Sequence, residues 1–343
     1  VVTSLFPSRR DGFPDRPLKA LMDSAKIVDH QFIGHHHEAM KSAKVFVICM
    51  SVFCAAGSQM AECTEFLVFY MGGQSNMDGY GKVAELPASL NRNHDSIRIF
   101  HGNPAADQSE DGGKGLWTTL MPGHGAGFSS NGSRNKYSPQ FGPELSFGTE
   151  LQKLLPGRKI ALIKYSRGGT SIHVDAARYF GCWDPDYNEG NGINQYDHFL
   201  KTVINATSWD DIDGDGSRDR LIPAGIVWMQ GESDGSFDEE IAGEYKDNLK
   251  KLMLAVQAAF RVDDIPVVIG RISDSGRNDE GKVWVKGDII RAQQAAYVEE
   301  FQPAALVTTT DKYGYSDPWH YDTEGFIDLG RQFAIEMARL LEK

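Results

Sequence analysis

The sequence predicts an α/β protein built on a parallel sheet with helices on both faces. Two observations carry that prediction. From Glu65 onward, short apolar runs alternate with segments of helical periodicity. The runs are unbroken and end in glycines and polar turn residues, as strands buried on both faces do. The composition agrees: 343 residues, 41% hydrophobic and 24% charged, is ordinary globular material, enough for one large domain or two small ones. A net charge of -12 argues against binding nucleic acid or an acidic membrane surface.

The chain is read in three parts. Residues 1–39, with Arg9-Arg10 and His35-His36-His37 but no sustained periodicity, read as sequence upstream of the natural start at Met40. Residues 40–61 read as a secretory signal: Lys41 and Lys44 precede a short apolar core, Val45 to Ala56, and small residues follow. That core is too short to span a bilayer, so the expectation is a secreted or periplasmic protein with no membrane attachment after cleavage. Residues 62–343 form a single domain. Its two cysteines, Cys63 and Cys182, leave a disulfide open in an oxidising compartment, although they would lie at opposite ends of the sheet.

Within the domain, strands are predicted at Phe66 to Met71, Ile97 to Phe100, Ile160 to Tyr165, Gly225 to Met229, Val267 to Ile272 and Ala305 to Thr309. Helical spacing links Tyr196 to Ile204 and Ile241 to Val256, and a last helix carries Phe326, Leu329, Phe333, Met337 and Leu340. The glycine-rich stretch from Asp111 to Gly132 reads as a long loop over the active face.

Chemistry gathers where strands end. Open parallel sheets place their sites beyond the carboxyl ends of the strands. Four short stretches fall there: Gly73-Gln74-Ser75-Asn76, Ser166-Arg167-Gly168-Gly169-Thr170, Gln230-Gly231-Glu232-Ser233-Asp234, and Asp317-Pro318-Trp319-His320. Acyl transfer needs a nucleophile, a base held in one tautomer, and N–H donors for the developing oxyanion. Ser75 is the candidate nucleophile, His320 the base and Asp317 its orienting acid. The N–H groups of Ser75 and of Gly168 or Gly169, with the side-chain amide of Gln230, are the expected oxyanion donors. Glu232 is the other carboxylate able to orient His320. Asp317 is preferred because three-residue spacing lets both side chains leave one turn, and Glu232 then braces the loop that carries Gln230.

The ordered blocks Gly-Gln-Ser-Asn-Met, Gly-Gly-Thr-Ser-Ile, Trp-x-Gln-Gly-Glu and Asp-x-x-His resemble those of the SGNH hydrolases, and more narrowly the sialate O-acetylesterase and carbohydrate esterase family 6 branch. Phe141-Gly142-Pro143-Glu144 also resembles a stretch of that branch. The resemblance covers about Glu65 to Lys343. It implies a three-layer α/β/α, flavodoxin-like fold around a central parallel sheet, removal of acetyl groups from sugars such as acetylated polysaccharide or sialic acid, and no cofactor for catalysis. Three other readings stand beside it: an esterase of the same fold acting on a non-carbohydrate ester, a glycosidase using Glu232 and Asp234, and a noncatalytic carbohydrate-binding protein with Trp117, Tyr137, Trp183 and Trp319 as stacking surfaces.

One motif lies outside this scheme. Asp211, Asp213, Asp215 and Asp219 alternate around Gly216, as in a calcium loop of the EF-hand kind, with the Ser217 carbonyl as a fifth ligand. The expectation is a structural calcium ion, and the alternative is a solvated acidic turn, favoured by Ile222 where a bidentate glutamate belongs.

Overall fold

A computed structural model describes residues 63–342 except 107–108, 189–192 and 277–280. The upstream stretch 1–39 and the signal-like segment 40–61 lie outside the described residues.

The strands are β1 (Thr64–Gly73), β2 (His94–His101), β3 (Trp117–Leu120), β4 (Lys159–Ser166), β5 (Asp219–Met229), β6 (Val267–Gly270) and β7 (Ala304–Val307). They form one sheet in the order β7-β6-β5-β1-β4-β2-β3. All neighbours are parallel except β3, which runs antiparallel along the edge of β2. The helices are α1 (Ser75–Asp78), α2 (Glu144–Leu154), α3 (Gln195–Thr207), α4 (Glu239–Gly243), α5 (Tyr245–Phe260), α6 (Gly287–Glu300) and α7 (Thr323–Leu341). Helices α2 and α7 pack together on one face, and α3, α5 and α6 cover the other, which makes the three layers of an α/β/α sandwich. Burial explains the unbroken apolar strands: Phe69, Met71, Ile163, Ile226 and Val268 are all enclosed between helical layers.

The sheet sets the site through its register. Gly73 at the end of β1 lies level with Ser166 of β4 on one side and Met229 of β5 on the other. Strands β2 to β4 all lie on one side of β1 and β5 to β7 on the other, so the order changes sides at β1, where such sheets leave a crevice. Three of the four expected stretches therefore emerge side by side. The fourth leads into α7. That helix is capped by Asp322, two residues beyond His320, whose side chain accepts the Gly325 N–H.

Two expectations change, and one helix was not expected. The stretch from Asp111 to Gly132 contains β3, a strand hidden by its short length and polar threonines. The pattern from Ile241 to Val256 is two helices, α4 and α5, parted at Glu244. Helix α6 had no strong apolar stripe to announce it, because one of its buried positions is Gln294. Cys63 is exposed, Cys182 is buried, and both are free thiols, so they are not paired.

Candidate active site

The nucleophile turn is made by close backbone approach. Gly73 has φ +143°, and a Cβ there would meet the Met229 carbonyl oxygen at 2.0 Å, so glycine alone lets β1 end against β5. The Gln74 N–H then donates to that same carbonyl at 2.9 Å. Ser75 opens α1, nearly buried at 7% exposure. The Gln74 side-chain oxygen accepts from the Ser233 N–H (3.1 Å), which ties the turn to the loop after β5.

Asp317, not Glu232, holds the histidine. His320 Nδ1 and Asp317 Oδ2 are 2.7 Å apart, while Asp317 Oδ1 accepts the Trp319 and His320 N–H groups at 2.8 and 2.9 Å. Burial opposes ionisation of Asp317, but the hydrogen bonds from His320 and Trp319 outweigh it and hold the carboxyl below its ordinary value. With Nδ1 engaged, Nε2 is the nitrogen left to act as base. Tyr80 stacks flat on the imidazole, with ring centroids 3.6 Å apart and an interplanar angle of 5°. Among the described residues no hydrogen bond joins the Ser75 hydroxyl to His320.

Asn76 carries the connection between serine and histidine. Its Nδ2 donates to Glu232 Oε1 (2.8 Å) and to the Trp319 carbonyl (3.1 Å), and its Oδ1 accepts the Tyr321 N–H (3.3 Å). One side chain beside the nucleophile thus grips both residues that flank His320. Glu232 accordingly braces Asn76 rather than the Gln230 loop. The sequence showed an amide next to a candidate nucleophile, but nothing in it named the partners.

Two of the expected oxyanion donors point elsewhere. The Gly168 N–H donates to Asp78 Oδ2 at 2.7 Å. Gln230 is fully buried, and its Nε2 donates to Asp234 Oδ2 (2.6 Å) and the Thr170 carbonyl (3.1 Å). The physical cause is the same in both: a carboxylate drawn out of water takes the nearest N–H. Gly168 still packs on the nucleophile, since a Cβ there would come 3.2 Å from Ser75 Cβ. The N–H groups of Ser75 and Gly169 have no acceptor among the described residues and remain as donors.

Burial dominates the electrostatics below the turn. It pushes the Glu232 carboxyl up to about 7 against the hydrogen bond from Asn76, and the Asp234 carboxyl up to about 6 against those from Gln230, His173 and Ile172. At 1% and 0% exposure these two carboxyls cannot flank a sugar, which removes the glycosidase reading. Trp117 and Trp183 are likewise buried and offer no stacking face, whereas Trp319, beside His320, is half exposed.

The acidic loop lies at the opposite end of β5. Carboxylate oxygens of Asp211, Asp213 and Asp215 come within 4.8 Å of one another. Asp211 accepts the Gly214 and Gly216 N–H groups, Asp215 accepts the Ser217 N–H, and Asp213 pairs with Lys159 at 2.9 Å. Asp219 stands apart from that cluster: its Oδ2 accepts the Ile212 N–H at 2.7 Å, and its buried Oδ1 has no hydrogen-bond partner.

Residues 65–339 match the family model described as carbohydrate esterase, sialic acid-specific acetylesterase. No curated protein matches the chain. Among solved structures, a protein from Arabidopsis thaliana is similar over 81% of this chain and 98% of its own, with 18% identity and a TM-score of 0.55. A carbohydrate acetylesterase from Xanthomonas citri is similar over 80% of this chain and 56% of its own, with 15% identity and a TM-score of 0.52. At such identities the likeness is one of fold.

Proposed function

Since the chain belongs to the carbohydrate esterase, sialic acid-specific acetylesterase family and is a carboxylic ester hydrolase acting on carbohydrates, we propose that it removes O-acetyl groups from sugars through an acyl-enzyme on Ser75. The observation that carries this reading is the Asp317–His320 pair, which fixes the imidazole with Nε2 free to take the Ser75 proton. Ser75 Oγ attacks the acetyl carbonyl carbon as its proton passes to His320. Collapse of the tetrahedral intermediate expels the sugar oxygen, which takes that proton back. Water, activated by the same nitrogen, then releases acetate and restores the serine. The Ser75 and Gly169 N–H groups would hold the oxyanion, a role worth roughly 10²–10³ in rate for each donor.

The test is acetate release from acetylated sugars, alongside a chromogenic acetate ester. Ser75→Ala should lose on the order of 10⁵-fold or more in kcat while staying folded. An unchanged rate removes the assignment. A panel of acetylated sugars then selects among polysaccharide, sialic acid and non-carbohydrate esters.

Export is proposed on the residues before the domain, Lys41, Lys44 and the apolar core from Val45 to Ala56. A protein starting at Glu62 should be soluble and as active as the full chain, and loss of folding on that truncation would count the leading residues as core. No helix among the described residues is long and apolar enough to cross a membrane. A structural calcium ion at the 211–219 loop is proposed on the order of its carboxylates.

A further inference from the structure

We propose that Lys164 is a positioning residue for acyl transfer: its buried ammonium fixes the far end of the Ser75 turn and, through Asp78, the glycine turn that faces the nucleophile. The inference rests on the nucleophile reading above and names a residue which that reading does not use.

Lys164 lies on β4, beside Met71 of β1 and His101 of β2, and its side chain is wholly enclosed. An ammonium has three N–H donors. All three are used: Glu144 Oε2 at 2.7 Å, the His124 carbonyl at 2.8 Å and the Asp78 carbonyl at 2.9 Å. Glu144, equally enclosed, turns its other oxygen to the Gly142 N–H at 2.9 Å. The cation is therefore aimed by a complete set of partners, and one of them is the last residue of α1.

That end of the turn needs an external hold. Helix α1 is a single turn with no side-chain cap at Gln74, so little within it fixes where Ser75 points. Lys164 supplies a charged donor to its final carbonyl. The same Asp78 sends its carboxylate to the Gly168 N–H at 2.7 Å, and Gly168 lies against Ser75. Ammonium, Asp78 and Gly168 thus form one chain of contacts that sets nucleophile and oxyanion donors relative to each other. The neighbouring imidazoles do not compete for the role of cation: burial, then the Lys164 charge, push His124 down to about 3 and His101 well below its ordinary value.

A buried ion pair is a poor device for stability alone, because well-packed apolar residues of similar volume often serve as well. That makes function separable from folding. The double variant Lys164→Met/Glu144→Leu removes both charges at once and leaves neither unpaired. In folded protein it should lower kcat for acetyl esters by about tenfold or more, the scale of a misplaced reacting group, with KM changed less than threefold. Capture of Ser75 by a fluorophosphonate, which needs no sugar contact, should slow in parallel. A distant core variant, Leu340→Ala, compared at matched Tm, should leave both rates near wild type.

Should the double variant not fold, Glu144→Gln gives the same readout, since it keeps an oxygen for Gly142 and removes the countercharge that aims the ammonium. Unchanged kcat and capture rate in either folded variant overturn the inference. Failure of wild-type Ser75 to be captured overturns the nucleophile assignment and this inference with it. Normal wild-type capture with unaffected variants overturns this inference alone.

Discussion

The two ends of β5 carry carboxylates in opposite circumstances. At its carboxyl end Glu232 and Asp234 lie under the nucleophile turn, where loss of water raises both. At its amino end Asp211 sits among backbone N–H groups, and the hydrogen bonds from Gly216 and Gly214 hold it below the ordinary carboxylate value. The residue types are the same, and the environment decides what they do. Buried carboxyls that accept from neighbouring groups, Glu232 from Asn76 and Asp234 from Gln230, Ile172 and His173, are suited to fixing those groups in place. Carboxylates near the surface and turned toward one another, Asp211 and Asp213 half-buried and Asp215 exposed, are suited to a cation.

Asp317 lies between these extremes, part exposed yet hydrogen-bonded as an anion, and it gives the largest expected effect. Asp317→Asn should lower kcat/KM by roughly 10³–10⁴, because an amide on Nδ1 no longer holds the reactive tautomer. Glu232→Gln should lose less than about tenfold, since the amide oxygen can still accept from Asn76. The ratio of the two losses, measured on folded protein with one acetate ester, tests the division of labour. A larger loss at Glu232 would reverse the roles.

The second effect is on stability. The folded state holds the Glu232 proton up to about pH 7, whereas its ordinary value is 4.5. Between those values the folded state binds more protons than the unfolded one, so stability contributed by this group is full below about pH 4.5 and falls as pH rises. At about 1.36 kcal/mol for each pH unit the fall amounts to roughly 3 kcal/mol. Glu232→Gln should abolish that fall and be the more stable protein at pH 8. Asp234 adds a fall of the same sign at lower pH to both proteins, so the difference curve isolates Glu232. A flat difference curve would place Glu232 in water.

Legibility followed the same division. The parallel core and the order of its blocks could be read because buried strands must be apolar and sheet chemistry must sit at strand ends. The contact between Asp317 and His320 was legible because three-residue spacing lets both side chains leave one turn. The hydrogen-bond partners of Gln230 and Gly168 were not legible, because a sequence shows donors without showing which acceptors reach them first, here Asp234 and Asp78. Asn76, Tyr80 and Lys164 were missed for a related reason: each acts through a partner far away in the chain.

The smallest effect concerns the amino end of β5. Asp211, Asp213 and Asp215 turn carboxylate oxygens toward one another, while Lys159 answers only Asp213. Burial raises Asp219, and the nearby Asp213, Asp211 and Asp215 charges add to it, so the charges acting on this residue are all of its own sign. A calcium ion held by the folded loop would relieve that repulsion and stabilise the fold by RT ln(1 + [L]/Kd), about 2.7 kcal/mol at a hundredfold excess over Kd. For a domain of this size such a gain should raise Tm by several degrees. The ion would steady the start of the strand whose other end presents Gln230 and Glu232, so kcat should change far less than Tm. Melts of metal-stripped protein with and without millimolar calcium check it, with Asp213→Asn/Asp215→Asn as the control expected to lose the shift. No shift in the wild type, or an equal shift in that variant, would leave the loop a solvated turn and the contrast between the two ends of β5 one of burial alone.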